Sequence, residues 1–468
     1  MNGSDRRTAA ACPRPAARDS LYTPVRVVDL DLDEPSGLRS PGGSGAVDPV
    51  GRVLALVRLH GHPLGLVTAT GTAGDSAALR RALVDAAHRE LRVPALSTAT
   101  PAARPSRVGR ARVPAGPVTV SVVVATHNRV GMLGQCLDSL LRNGYPRYEV
   151  IVVDNAPADA AAERLIRDRY AGRVRYLREP VAGLARAHNR GLAAAHGEVI
   201  AFVDDDTLID PNWISSIVEV FRADDRVGCV TGLILPAELE TPAQAALHAH
   251  AGFDKGFATR SWSLRQPPPD HLFPFTAGAF GSGANMAFRT DVLRAFGGFD
   301  PLIGTGSPAR GGDDLLAFFQ VIVNGHTLVY QPEAIVWHRH HRTEEALLRQ
   351  AYGYGVGLGA YLVAAAVREP HMLPELLRRL PGGLRHAVRR ARAEPDPGAA
   401  GRFGHTGSAH CAAALRARER RLARLELRGL LYGPVGYLRS RFGTPVAAAV
   451  EPAASASASV DPSPSPWG

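Results

Sequence analysis

An α/β fold with a doubly wound, mostly parallel sheet is predicted by three features of the chain. Between 118 and 203, short runs rich in Val and Ile alternate with stretches of helical apolar spacing. That alternation builds parallel strands with helices on both faces. The runs are apolar along their length, as strands buried on both faces must be. The last of them, Val199-Ile-Ala-Phe-Val203, stops abruptly at Asp204, Asp205 and Asp206. Open α/β sheets bind their ligands at the carboxyl ends of their strands, where such acids would lie.

The elements follow in order. Residues 1–21 are polar and rich in Pro and Ala, and are expected to be disordered. Residues 51–70 predict two short strands about a turn at Gly61 and Pro63. Leu79, Leu83, Ala86, Ala87 and Leu91 then fall at helical spacing. Residues 22–96 thus read as a small α+β module. A linker rich in Pro, Ala and Arg spans 97–117. The main domain, 118–345, predicts strands at 118–125, 150–154, 174–177 and 199–203. Helices are predicted between them at 132–141, 160–170 and 184–196. From 230 to 345 the pattern is less regular, with Gly-rich turns. Residues 346–446 read as a helical region, with Arg-rich helices at 373–392 and 412–430. The segment 447–468 is Ala/Ser/Pro low complexity, expected to be a disordered tail.

Composition bounds the function. The chain has 468 residues and is 45% hydrophobic, enough for a sizeable core. Its net charge is +10, and Lys255 is the only lysine. Arginine with abundant Ala and Gly looks like a coding bias, so the charge is a weak argument for nucleic acid, and none is expected as a partner. The charge suits phosphate-bearing substrates or an anionic membrane surface equally well. Cys12, Cys136, Cys229 and Cys411 show no CxxC spacing, which indicates neither a zinc site nor a disulfide framework. A cytoplasmic setting is the simplest expectation, since no secretory signal is visible. The most apolar stretch, 355–367, is too short and too rich in Gly and Ala to span a bilayer. It reads as a buried or interfacial helix.

Four stretches carry chemistry. Three adjacent carboxylates repel one another unless something positive neutralises them, and a hard divalent cation holding phosphate oxygens would do so. Ser121-Val-Val-Val-Ala125-Thr126-His127-Asn128-Arg129 is a strand running into a polar turn, where Arg129 could pair with a phosphate or stack beside a base. Val150-Ile-Val-Val-Asp154 ends in an acid able to accept from a ribose hydroxyl or a base NH. In Gly183-Leu-Ala-Arg186-Ala-His188-Asn189-Arg190-Gly191, Arg186, Asn189 and Arg190 fall near one helix face. Taken singly, each stretch reads as well as a satisfied strand end or a solvated face.

Taken in this order, the four stretches resemble a family 2 glycosyltransferase of the GT-A fold, over about 118–345. The resemblance implies inverting transfer of a sugar from a nucleotide-sugar, UDP- or dTDP-linked, to a hydroxyl acceptor. The acceptor would be a saccharide, a lipid-linked glycan or a natural product. It implies Mg²⁺ or Mn²⁺ between an Asp-x-Asp motif and the diphosphate. Ala125, Thr126 and Arg129 match the nucleotide turn, Asp154 the acid at the base, and Arg186 the segment lining diphosphate and sugar. Asp204 and Asp206 match the ends of Asp-x-Asp, with Asp206 the direct metal ligand and Asp204 nearer the sugar or ribose. Asp205 is then aimed at ribose or donor sugar. Phe280-Gly-Ser-Gly-Ala-Asn-Met-Ala-Phe-Arg289 resembles the acceptor-side segment. Gly311-Gly-Asp313-Asp314-Leu315 resembles the family's Gly-Glu-Asp, with Asp in place of Glu. Asp314 matches the general base, and Asp313 is the fallback. His338, within Trp337-His-Arg-His340-His341-Arg342, matches a third metal ligand found in some relatives, ahead of His340 and His341.

Three alternatives stand beside this. A retaining transferase shares the fold. A catalytically inactive nucleotide-sugar or carbohydrate-binding protein would share the site. A nucleotidyltransferase would need a Gly-rich, basic phosphate loop where the chain has Ala-Thr-His-Asn-Arg. The Arg-rich helices after 345 suit either a solvated bundle or peripheral contact with the inner face of the cell membrane. Oligomeric state is not encoded in any pattern we can read.

Overall fold

In the computed structural model, the described residues are 24–34, 37–43, 45–91, 118–392 and 409–443. The expected disordered segment 1–21, the linker 97–117 and the tail 447–468 lie outside them.

The first sheet has five strands: β1 (Val25–Asp31), β2 (Leu38–Arg39), β3 (Ala46–Val47), β4 (Gly51–Leu59) and β5 (His62–Gly71). They lie in the order β3-β2-β1-β4-β5. β4 and β5 form the hairpin about Gly61, and β1 pairs parallel to β4. α1 (Ser76–Glu90), capped by the Asp75 carboxylate on the Ala78 amide, covers one face. Along β4, Val53, Ala55 and Val57 meet α1's Leu79 and Leu83 in the module's own core. Leu54 and Leu56 point the other way, into the main domain's core. The module therefore shares a core with the larger domain. Arg58 reinforces the join, its guanidinium bridging Asp29 of β1 and Asp210 of the main domain.

The main sheet has nine strands. β6 (Val120–Thr126), α2 (Val130–Leu140), β7 (Tyr148–Asn155), α3 (Ala161–Arg169), β8 (Val174–Glu179), α4 (Leu184–Ala194) and β9 (Val199–Asp204) fall where the alternating pattern placed them. There follow β10 (Thr207–Ile209), α5 (Trp213–Ala223), β11 (Val227–Pro236), α6 (Pro242–Ala251) and β12 (Arg260–Trp262). β13 (Asn285–Arg289), α7 (Thr290–Ala295), α8 (Asp313–Val323) and β14 (Thr327–His338) complete the domain. The order is β10-β14-β11-β13-β9-β6-β7-β8, with β12 beside β14. β6, β7, β8, β9, β11 and β14 run one way; β10, β12 and β13 run against them. Side chains of a strand point alternately to its two faces. Accordingly Val123 and Ala125 of β6 enter one core, and Val122 and Val124 the other.

Three helices close the fold: α9 (Glu344–Arg368), α10 (Leu373–Arg392) and α11 (Ala409–Phe442). The stretch 355–367 lies within α9, which packs on α8 and α11. No described helix is long and apolar enough to cross a membrane.

Candidate active site

Sheet register assembles the site. Thr126 stands beside Asp154 in the β6–β7 pair, and Ala125 beside Asp204 in the β6–β9 pair. The polar turn, the β7 acid and the acidic triplet thus share one edge. The chain then reverses into β10, where Thr207 lies opposite His338 of β14. The Arg339 amide donates to the Asp206 carbonyl at 3.0 Å. This antiparallel pairing carries His338 to the triplet.

Asp204, Asp206 and His338 each offer one ligand atom, all within 4.8 Å of one another. Among the described residues no other His, Cys, Asp or Glu cluster of that size does so. His338 Nε2 is 3.2 Å from Asp206 Oδ1. Asp206 Oδ1 is buried and lacks a hydrogen-bond partner. A buried carboxylate oxygen that faces an imidazole without a well-formed hydrogen bond suits a ligand. Two carboxylates and an imidazole make a donor set that fits a divalent cation.

The electrostatics separate the three acids. Burial, then repulsion from Asp206, pushes the Asp204 carboxyl up to about 7. Burial acts on Asp206 as well, but the His338 imidazole and Arg129 outweigh it and hold Asp206 well below the usual carboxylate range. Against its own burial, the pull of Asp206 raises His338. Burial pushes Asp205 up to about 6 despite Arg129.

Asp205 differs from expectation. The Thr126 hydroxyl donates to its Oδ2 at 2.7 Å, and Arg129 Nη1 is 3.3 Å from its Oδ1. With 4% exposure and both oxygens engaged, it braces the polar turn and does not face an open ribose or sugar site. Arg129 also reaches Asp206 Oδ2 at 2.9 Å, so its charge is already shared between two acids. Asp154 is buried, and the Tyr176 hydroxyl donates to its Oδ2 at 3.0 Å. Burial raises its carboxyl against that bond.

The α4 face also differs. Only Arg186, half-buried beside Gly183, remains of the three expected donors. Asn189 donates to the Phe299 carbonyl at 2.7 Å and accepts from its amide at 2.8 Å, pinning the loop after α7. Arg190 is exposed. The inward residue is His188, which the motif reading passed over. It is 2% exposed, with Phe202 and Phe299 rings at 4.8 and 5.0 Å. Its place on the apolar stripe with Leu184 and Leu192 was the one available signal.

His188 Nδ1 is 3.7 Å from Asp313 Oδ2, and neither atom has a hydrogen-bond partner. Burial holds the imidazole down to about 3. Burial, then repulsion from Asp314, pushes Asp313 up to about 7. The α8 entry is Gly312 at φ 93°, a left-handed conformation that favours glycine. Asp314, half-buried, accepts from the Gly283 amide at 2.8 Å and the Leu315 amide at 2.8 Å. Burial raises its carboxyl against those bonds. The 280–289 segment and the Gly-Gly-Asp-Asp turn therefore meet at Asp314.

β14 ends at His338, so His340 is not a further position on that strand. His340 is 3% exposed, stacks on Phe253 at 5.5 Å, and places Nδ1 3.1 Å from His338 Nδ1. One of the two nitrogens must donate. With the proton on His338 Nδ1, its Nε2 lone pair faces Asp206.

A cavity of 1370 Å³ joins these groups. Asp204, His338, His188, Asp313 and Asp314 line one side, and apolar side chains of α9, α10 and α11 the other.

The fold and site are those of an α/β protein with a metal-competent acidic cluster at the carboxyl edge of its sheet. Residues 121–297 match the model of glycosyl transferase family 2. An uncharacterized glycosyltransferase of Nostoc sp. is 27% identical over 186 residues, covering 39% of this chain and 54% of that protein. A pre-mycofactocin glycosyltransferase of Mycobacterium tuberculosis is 30% identical over 272 residues, covering 56% and 51%. The chain thus spans about half the length of these curated relatives. A mannosyltransferase from Pyrobaculum calidifontis, solved with GDP-Man and Mn²⁺, is 21% identical over 70% of this chain and 89% of that one, at a TM-score of 0.44.

Proposed function

We propose that the protein is an inverting glycosyltransferase that moves a sugar from a UDP- or dTDP-linked donor to a hydroxyl acceptor. One observation carries the reading: Asp204 and His338, two members of the Asp204–Asp206–His338 cluster, line the same cavity as Asp314, which stands apart from them on α8. Asp204, Asp206 and His338 would hold Mg²⁺ or Mn²⁺. Such a cation, when bound, neutralises charge on the departing diphosphate. Thr126 and Arg129 hold the nucleotide turn, and Asp154 receives the base.

Asp314 takes the proton of the acceptor hydroxyl as that oxygen bonds to the anomeric carbon. The bond from that carbon to the diphosphate oxygen breaks on the opposite face, and the nucleoside diphosphate departs with the electron pair. Two backbone amides fix the Asp314 carboxylate. Its raised carboxyl is a stronger base than a solvated one.

The test is a thermal-shift screen of UDP-, dTDP- and GDP-sugars with Mn²⁺, Mg²⁺ or EDTA. Stabilisation by one donor that needs the metal is the expected result. No metal-dependent shift with any donor would refute the reading. For the donor found, NMR of the product anomer separates inversion from retention.

A further inference from the structure

The cavity's outer wall leaves an unusual surface. Of the large hydrophobic side chains exposed among the described residues, most lie on α9, α10 and α11. Leu358, Val367, Leu373, Leu380, Leu384 and Leu431 are exposed and also line the cavity. They form its rim. Leu377, at 58% exposure, and Phe442, at 78%, extend the apolar surface outward. Exposed apolar side chains gathered on helices that pack together mark a binding face.

Its charge identifies what binds. α10 carries six arginines and one glutamate. Glu375 is already paired with Arg378 and Arg379. Arg385, Arg389 and Arg392 are exposed. Leu373, Leu377, Leu380 and Leu384 recur at helical spacing along the same element. A basic helix with a leucine stripe lies in the plane of an anionic lipid surface, its stripe among the acyl chains and its arginines at the headgroups.

We infer that α10 and the carboxyl end of α11 seat the mouth of the cavity on an anionic bilayer. The cavity then opens toward lipid, with Asp314 on its inner side. Resting on the proposed function, this makes the acceptor an amphiphile, its apolar body against α9–α11 and its hydroxyl at Asp314. The docking itself does not depend on that function.

The full chain is floated with vesicles of phosphatidylcholine alone and of phosphatidylcholine mixed with phosphatidylglycerol, at low salt. Flotation with the mixed vesicles only is expected. Leu377→Glu, and separately Arg385→Glu with Arg389→Glu, should weaken that binding about tenfold or more. Neither change touches the acidic cluster, so the metal-dependent thermal shift should be unchanged. Failure to float, equal flotation with both vesicles, or variants that float like the parent would each overturn the docking. Orientation is read with Leu380→Trp and lipids brominated in their chains. Quenching beyond that of the parent chain is expected, and its absence from bound protein would overturn the lipid-facing mouth. Flotation without any nucleotide-sugar shift would refute the proposed function and leave the docking standing.

Discussion

His338 Nε2 lies 3.2 Å from Asp206 Oδ1, although one residue follows β9 and the other ends β14. The β10–β14 ladder holds them there, with Thr207 opposite His338. Attraction between the two lowers the Asp206 carboxyl and raises the His338 imidazole against the cost of burial. A divalent cation offers the same cluster a fixed positive charge in place of the imidazole proton.

Removing either partner should therefore cost metal affinity. Asp206→Ala and His338→Ala are each expected to weaken Mn²⁺ binding by at least about tenfold. Calorimetric titration of the donor-free protein with Mn²⁺ reads this directly. Unchanged affinity in both variants would place the metal elsewhere.

Asp314→Asn should leave donor binding intact, because Asp314 lies on α8, apart from the strand-edge acids. Transfer should fall by about 10²–10⁴, the usual contribution of a positioned base. Single-turnover rates beside donor affinity separate the two effects. An unchanged kcat would move the base to Asp313.

The sheet is readable in its first half, whereas β11, also buried along its length, falls where the pattern reads as irregular. β6, β7 and β9 are buried on both faces, so composition alone marks them. β1 was missed, although it pairs with β4 along its length. Its Val25-Arg-Val-Val-Asp-Leu-Asp run interleaves charges that the join with the main domain accommodates. In the site, motif residues at strand ends were legible because a strand end has one direction to face. The roles of Asn189 and His188 were not. Which side of α4 meets the Phe299 loop depends on packing between segments far apart in sequence.

Asp313 should make stability depend on pH. Its folded-state value, about 7, lies above its reference value of 3.8. Its stabilising contribution is thus full below about pH 3.8 and is lost as pH rises through about 7. Asp313→Asn abolishes the buried charge. In EDTA the variant should gain about 1–3 kcal/mol over the parent at pH 8, and that gain should shrink toward pH 5. Urea melts at the two pH values check it, and a gain independent of pH would contradict the assignment.

Glycines set the α9–α11 contact that forms the cavity's wall. A Cβ on Gly355 would collide with the Glu426 carbonyl, and one on Gly359 with the Leu430 carbonyl. Gly359→Ala should destabilise by about 1–3 kcal/mol through overpacking. Gly353, on the same helix, has nothing within 4 Å of its would-be Cβ. Gly353→Ala should be neutral or stabilising by up to about 1 kcal/mol, since alanine is the better helix former. Similar losses at both positions in thermal melts would show that close approach is not the cause.

The join between the two sheets should fail at Arg58. Its side chain is nearly buried, with Nε 2.9 Å from Asp29 Oδ1 and Nη2 2.5 Å from Asp210 Oδ2. Nη1 also donates to the Gly61 carbonyl at 3.2 Å. Arg58→Met keeps much of the stem's packing but strands two buried carboxylates. Losing one partner of a buried ion pair costs about 3–5 kcal/mol, most of it from the charge left behind. Burial already raises the Asp29 carboxyl. Without the guanidinium, Asp29 should take up a proton on folding, so the variant's deficit should narrow as pH falls from 7 toward 5. Adding Asp29→Asn and Asp210→Asn to Arg58→Met should recover part of the loss at pH 7. Denaturant melts of the parent, single and triple variants measure both effects. A triple variant no more stable than the single one would show that Arg58 acts through packing and its Gly61 bond, not through the two acids.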